Sequence, residues 1–467
     1  VIRLLVADAL ILAAGNGLVT AVAGPSRKVF NVAGRLGVSF LCGVSLLAFV
    51  TTVFAVAGLP TTPPATAPFL VVAAALGAIP LFRPGALAPL RKRFARPYRN
   101  ALVLGGEILA AIPALWVGLK AVAGGAKIPV TVSDEYAIWA LRGRMLSLAG
   151  KFDARIGFNG KAGYNHPDYP LGVPALVAWT DGWLGKVSDP AAHAQVALTF
   201  LAMLLIGAWA GNRYAGPLGG IASVVMLGGL TRVLPRYAVL VFGDIPTAAY
   251  AAAMVAVAAV WVDEDDGRLL GVVGLLAAGS VLVKNEGSLG AVAVLAAVTL
   301  ANIGRGRQWR PVLVAWAIAI GALLPWMVFS RAHGAQSDVV NARTLAPSAL
   351  RHNLRLFGPI ITGFKKLWPG VRGLTLLLPF AGAALALAAK QRRLVVLFAA
   401  SIGLSLAGLV FVYFGGYAHL YSSAHRTLLA PAAMVAVAIP VLAGAGRRRA
   451  VPAPATTADD AATDPAE

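Results

Sequence analysis

The chain has 467 residues, of which 58% are hydrophobic and 13% charged. Soluble proteins carry roughly 25% charged residues, so this chain lacks the polar surface to stay in water and reads as an integral membrane protein. Its net charge of +21, from 40 basic and 19 acidic residues, would point to nucleic acid in a soluble domain. In a membrane protein the first question is whether that charge sorts by membrane side.

The single cysteine, Cys42, excludes an intramolecular disulfide framework and any Cys-based zinc or iron–sulfur site. Its apolar surroundings mark it as packing. Near the start, Arg3 is a thin basic region and Asp8 interrupts the first apolar stretch, so no cleavable signal peptide is expected.

A helix needs about 20 apolar residues to cross a bilayer. Runs of this kind lie near 4–23, 36–58, 67–82, 100–123, 193–211, 216–231, 244–262, 268–283, 287–303, 311–330, 371–389, 394–414 and 427–445. The expected fold is all-α: a polytopic membrane protein with about 13 transmembrane helices. Residues 1–123 form the N-terminal helices and 124–192 a long loop with amphipathic helices. Residues 193–330 form the core, 331–370 a basic loop, 371–449 the C-terminal helices, and 450–467 a low-complexity tail. The tail is expected to be cytoplasmic and disordered.

With these spans, twenty basic residues share one side: Arg27, Lys28, Arg35, Arg83, Arg91, Lys92, Arg93, Arg96, Arg99, Arg213, Arg268, Arg305, Arg307, Arg310, Lys390, Arg392, Arg393, Arg447, Arg448 and Arg449. The positive-inside rule makes that side cytoplasmic. Both long loops then fall on the outer face, where function usually sits. All six histidines fall there too: His166, His193, His333, His352, His419 and His425. So do most acids outside the tail. Asp8 and Glu107 lie inside spans, where an acid is a functional candidate by default.

The first long loop opens on Ser133-Asp-Glu-Tyr-Ala-Ile-Trp139. Apolar residues continue through Leu141, Met145 and Leu148, as in an amphipathic helix lying on the membrane. Asp134 and Glu135 are either first-turn acids behind a Ser133 N-cap or a general base at a partly desolvated boundary. Next, Tyr164-Asn-His-Pro-Asp-Tyr-Pro-Leu-Gly172 uses two prolines to fix His166, Asp168 and two tyrosines. Aromatic faces beside a carboxylate suit a sugar; a plain turn before the apolar helix Val173–Leu184 is the other reading.

Asp244, in Phe242-Gly-Asp244-Ile-Pro246, stands at the mouth of a span as N-cap or site acid. Lys284-Asn-Glu286 breaks an apolar hairpin, either as a local ion pair or as a lysine that binds a lipid phosphate. The second long loop sets Arg331, Arg343, Arg351, Arg355, Lys365 and Lys366 against one acid, Asp338. An anionic ligand explains that excess, with anionic lipid headgroups as the competing explanation. The stretch Tyr417–Leu428 returns His419, His425 and Arg426 to the same face.

An outer loop opening with Asp-Glu, a His-Pro/Tyr-Pro segment and a lysine at a later helix end together resemble the GT-C glycosyltransferases. The nearest branch is the protein O-mannosyltransferase and aminoarabinose-transferase group. His419–Leu428 is similar to a terminal His…Ser…Arg-Leu-Leu stretch of that group, although His425 stands where Asp is common. The spans before residue 124 are a second departure. The resemblance covers about 124–445 and implies transfer of a sugar, with inversion, from a polyprenyl-phosphate donor to an acceptor on the outer face.

It further implies that Asp134 deprotonates the acceptor, that Glu135 assists, and that His166 and Asp168 line the sugar or acceptor site. Lys284, Arg331 and Arg343 would hold the donor phosphate. Tyr169, Asp244, Glu286, His419 and Arg426 complete the candidate substrate-binding set. The acceptor would be a glycan, lipid or protein, with no nucleic-acid partner. No nucleotide fingerprint is present. A divalent cation is compatible with the carboxylates and histidines, but no ligand spacing specifies one. The competing readings are a ligase or polymerase of lipid-linked glycans, a transporter or flippase of a lipid-linked or anionic substrate, and a non-enzymatic scaffold.

Overall fold

A computed structural model of the chain describes residues 1–24, 29–79, 97–132, 134–158, 166–229, 237–303, 309–335, 354–360, 372–415 and 426–448, with isolated positions between 346 and 362. It is all-helical among these residues. Four helices come first: α1 (Ile2–Ala23), α2 (Val32–Val56), α3 (Pro63–Ala78) and α4 (Pro97–Gly125). A π-helical turn, Glu135–Ala140, then runs into α5 (Leu141–Ala149), followed by a single turn at Ala154–Gly157 and α6 (Gly172–Leu184). The remainder comprises α7 (Asp189–Gly228), α8 (Asp244–Glu264), α9 (Arg268–Val283), α10 (Asn285–Asn302), α11 (Trp309–Ala332), α12 (Arg372–Leu387), α13 (Arg392–Gly415) and α14 (Leu429–Arg448).

Local signals set several of these boundaries. Asn31 caps α2 by accepting the Gly34 N–H at 2.9 Å, and Pro63 opens α3 at a position that needs no donor. At Gly216 the backbone turns to φ 71°, which divides α7 into antiparallel arms, 189–215 and 217–228. The arms approach so closely that a Cβ on Gly211 would lie 2.2 Å from the Gly219 carbonyl oxygen. Each of the thirteen apolar runs thus coincides with a helix or an arm of α7.

Among the described residues, eight helices are long and apolar enough to cross a membrane: α1, α2, α4, α7, α8, α11, α13 and α14. Helix α8 lies at the centre, 94% buried over its apolar window, and contacts α7, α9, α10, α13 and α14. Its alanines, Ala248 and Ala249 through Ala259, keep that helix thin, so its neighbours close around it by van der Waals packing. By contrast, α4 is only 22% buried and α11 and α13 28%. They turn Trp116, Leu119, Val314 and Phe411 outward. Water would not tolerate such a surface on a monomer, whereas lipid does. The chain is a multi-pass membrane protein.

Arg35, Arg213, Arg268, Arg310, Lys390, Arg392 and Arg393 sit at one end of the bundle. Residues 126–132, 134–158, 166–188 and 237–243, Lys284, and the start of α14 gather at the other. One expectation changes. The segment from Glu135 through Ala149 does not lay its apolar face on lipid: Ile138, Trp139 and Leu146 are buried, and Gly143 packs on Val177 of α6. The helix is part of the protein core because α6 offers an apolar partner. Ser133, and so its capping role, lies outside the described residues.

Candidate functional site

At the end away from the basic loops, residues from five chain segments converge. Asp244 is the first residue of α8, capped from outside by Gly243 rather than capping the helix itself. It is buried, and its Oδ1 accepts from Lys284 Nζ at 2.9 Å. Lys284 interrupts the apolar hairpin between α9 and α10 with an extended backbone, φ −161° and ψ 154°. Its ammonium also lies 3.1 Å from Glu286 Oε1 and 6.0 Å from the Tyr169 ring centre. Burial works against this charge, but Asp244 and Glu286 outweigh it and hold the ammonium well above the ordinary lysine range.

The proline-flanked loop supplies the next layer. Asn285 Nδ2 donates to Asp168 Oδ2 at 2.5 Å, and Trp326 Nε1 donates to the Asp168 carbonyl at 2.8 Å. Tyr169 places its hydroxyl 3.4 Å from both Glu286 carboxylate oxygens. Burial, then the Glu286 charge, pushes that phenol well above its usual range, so Tyr169 stays a neutral donor. His166, at φ 54°, stacks on Tyr169 with ring centres 4.7 Å apart. Trp139 is the other ring neighbour of Tyr169, with centres 5.5 Å apart.

Arg426, at the start of the last helical segment, donates to Asp134 Oδ2 at 2.8 Å and stands 5.1 Å over the Phe242 ring. Its Nε is buried and has no hydrogen-bond partner among the described residues. A small cavity opens beside it, lined by Asp244, Lys284, Glu286 and Arg426 at its charged side. Thr247, Ser405 and Thr427 add hydroxyls, and Leu289, Leu409 and Ala430 an apolar wall. A guanidinium, hydroxyls and an apolar wall are the kinds of group that recognise an anionic, hydroxyl-bearing headgroup joined to an apolar chain.

Glu135 behaves differently from its neighbour. It is fully buried, and its Oε1 accepts the Val241 N–H at 2.6 Å and lies 2.6 Å from His193 Nε2. Burial alone would raise its pKa, but His193 and the backbone donors outweigh it and lower the carboxyl below its ordinary range. This side chain faces α7, not the cavity.

Asp134, His166, Asp168, Tyr169, Asp244, Lys284, Glu286 and Arg426 are therefore brought together. Arg331 is not: it is exposed in the last turn of α11. Arg343 and His419, with His352, His425, Lys365 and Lys366, lie outside the described residues. Asp8 packs beside Gln195, away from the cavity. No group of three or more His, Cys, Asp or Glu is arranged to hold a metal ion among the described residues.

One residue of the assembly carried an overlooked signal. Arg142 is 2% exposed and donates to the carbonyls of Tyr169 at 2.8 Å and Pro167 at 2.6 Å, so it fixes the proline-flanked loop from below. It falls on the buried stripe with Trp139 and Leu146, at i−3 and i+4, where a cation is out of place unless it holds something. Comparison with protein-family models, curated proteins and solved structures returns no match.

Proposed function

We propose that the chain is a membrane glycosyltransferase of the GT-C type, its thirteen helical arms crossing the bilayer with the site on the extracytoplasmic face. It moves a sugar from a polyprenyl-phosphate donor to a hydroxyl acceptor. The observation that carries this reading is Arg426. One guanidinium grips the carboxylate of Asp134 and also carries a buried N–H with no partner among the described residues, beside a cavity with hydroxyl and apolar walls.

The chemistry follows from that bridge. The acceptor hydroxyl gives its proton to Asp134 as its oxygen bonds to the anomeric carbon. The bond from that carbon to the phosphate oxygen breaks on the opposite face, and its electron pair stays on the phosphate. Arg426 stabilises the charge that develops there. Lys284 has a different part from the one the resemblance implies. Its charge is already met by Asp244 and Glu286, so it organises those carboxylates and leaves the phosphate to Arg426. Tyr169 and Asp168 support the charged wall of the cavity through Glu286 and Asn285. A transporter would place ionisable groups at the bilayer midplane; here they stand at helix ends.

The test is transfer of sugar from a polyprenyl-phosphate donor by membranes carrying Asp134→Asn. A loss of about 10²–10⁴-fold is expected for a missing general base, and unchanged transfer would overturn the reading. Labelling of Lys151→Cys and Lys390→Cys from opposite sides of the membrane tests the sidedness.

A further inference from the structure

The acid next to the proposed base is sealed off from the cavity, yet it ties the loop to two other parts of the framework, Val241 and His193. His193 Nδ1 lies 2.7 Å from the Asp189 carbonyl oxygen, which can only accept, so Nδ1 carries a hydrogen. His193 Nε2 approaches Glu135 Oε1 to 2.6 Å, with both side chains fully buried. The same carboxylate oxygen takes the Val241 N–H, three residues before Asp244 and one before Phe242, the ring beneath Arg426.

One helical turn of α7 thus holds the loop at three places. Asp189 accepts the Val130 N–H at 3.1 Å and pairs with Arg144, on either side of the Asp134–Glu135 turn. His193, four residues on and on the same face, holds Glu135 itself. The held segment is a π-turn, wider than an α-helix and uncommon without local support.

We infer that the Glu135–His193 pair is a positioning latch that keeps Asp134 in register with Arg426 and with the segment leading to Asp244. Its catalytic meaning rests on the reading of Asp134 as base; its geometry does not. Glu135 and His193 touch neither cavity nor substrate. They act by fixing where the neighbouring carboxylate points, and a displacement near 1 Å at a reacting group costs about 10²-fold in rate.

The experiment uses the full chain in lipid nanodiscs, with His193→Ala and His193→Gln. Alanine leaves Glu135 buried without its partner, whereas glutamine returns an N–H donor. For His193→Ala, kcat should fall about 10²-fold with the donor KM within about 3-fold. His193→Gln should recover about 10-fold of that loss. Unchanged kcat in His193→Ala, or no recovery in His193→Gln, overturns the latch.

A second arm needs no activity. In a Cys42→Ala background, Asp134→Cys and Arg426→Cys are joined by a short bifunctional thiol reagent. Cross-linking should slow about 10-fold with His193→Ala and return with His193→Gln. Equal rates in all three overturn the latch. The expected cross-linking pattern without any sugar transfer by the unaltered chain supports the latch and retires the reading of Asp134 as base.

Discussion

The two ends of the bundle use charge in opposite ways. At the basic end, Arg268 meets Asp266 at 2.7 Å with the arginine side chain 63% exposed, and the largely buried Arg213 pairs with Glu264, which is 42% exposed. Arg393 donates to the carbonyls of Ala301 at 2.9 Å and Val262 at 3.3 Å, closing helix ends. At the other end, Lys284 and Asp244 are 7% and 3% exposed and share their environment with Glu286 and Tyr169. Exposed pairs are worth about 0–1 kcal/mol each, so the basic end can orient the chain without shaping it. Burying ions costs several kcal/mol of desolvation, and a fold gains little stability from such pairs. A connected buried network therefore points to use of its geometry, which is why the site is placed there.

The largest expected effect lies in that network. Lys284→Met removes the one ammonium between two buried carboxylates and should cost about 3–5 kcal/mol in detergent unfolding. A cost under about 1 kcal/mol would put Lys284 in the same class as the surface pairs and erase the contrast. Arg142→Gln comes next. It withdraws a buried guanidinium from the carbonyls of Pro167 and Tyr169 and should cost about 2–3 kcal/mol. It should also loosen proteolytic protection of the loop that holds Asp168.

The helices were legible because hydrophobic runs and the bilayer leave few alternatives: every apolar run became a helix or an arm. The short arm after Gly216 was legible for the same reason, as the separate apolar run 216–231. Much of the site was legible through scarcity. In a chain this apolar, each of Asp134, Asp168, Asp244, Lys284, Glu286 and Arg426 stands out against its surroundings. What the pattern could not give was pairing. Glu135 and His193 lie far apart in sequence, and nothing local distinguishes Glu135 from Asp134; only the approach of α7 does. Likewise, exposure in a last helical turn, not composition, separates Arg331 from Arg426.

A pH effect sharpens the comparison at the buried end. Asp181, in α6, is buried, and that burial pushes its carboxyl up from 3.8 to about 6; the Ser188 N–H on Oδ1 offsets only part. The folded protein therefore keeps a proton that the unfolded chain has released. Stability from this group is complete below about pH 4 and is lost as pH rises through 6, by on the order of 2 kcal/mol. Asp181→Asn keeps the acceptor for Ser188 and has no charge to bury. Unfolding measured from pH 4 to 7 should show the decline flatten in this variant, and a parallel decline in both proteins would assign it elsewhere.

The smallest effect belongs to the basic end and is informative because it is small. Arg268 spans two residues to Asp266 with both oxygens engaged, yet most of its side chain is in solvent. Water and salt screen such a pair, and Arg268→Ala should shift stability by no more than about 1 kcal/mol. The arginine's contribution to orientation depends instead on the sum of charge across all the short loops on that side, so one alanine should leave labelling of Lys390→Cys unchanged. If a single surface arginine cost as much as Lys284, the network around Asp244 would no longer be set apart by energy, and burial would lose its value as a guide to the site.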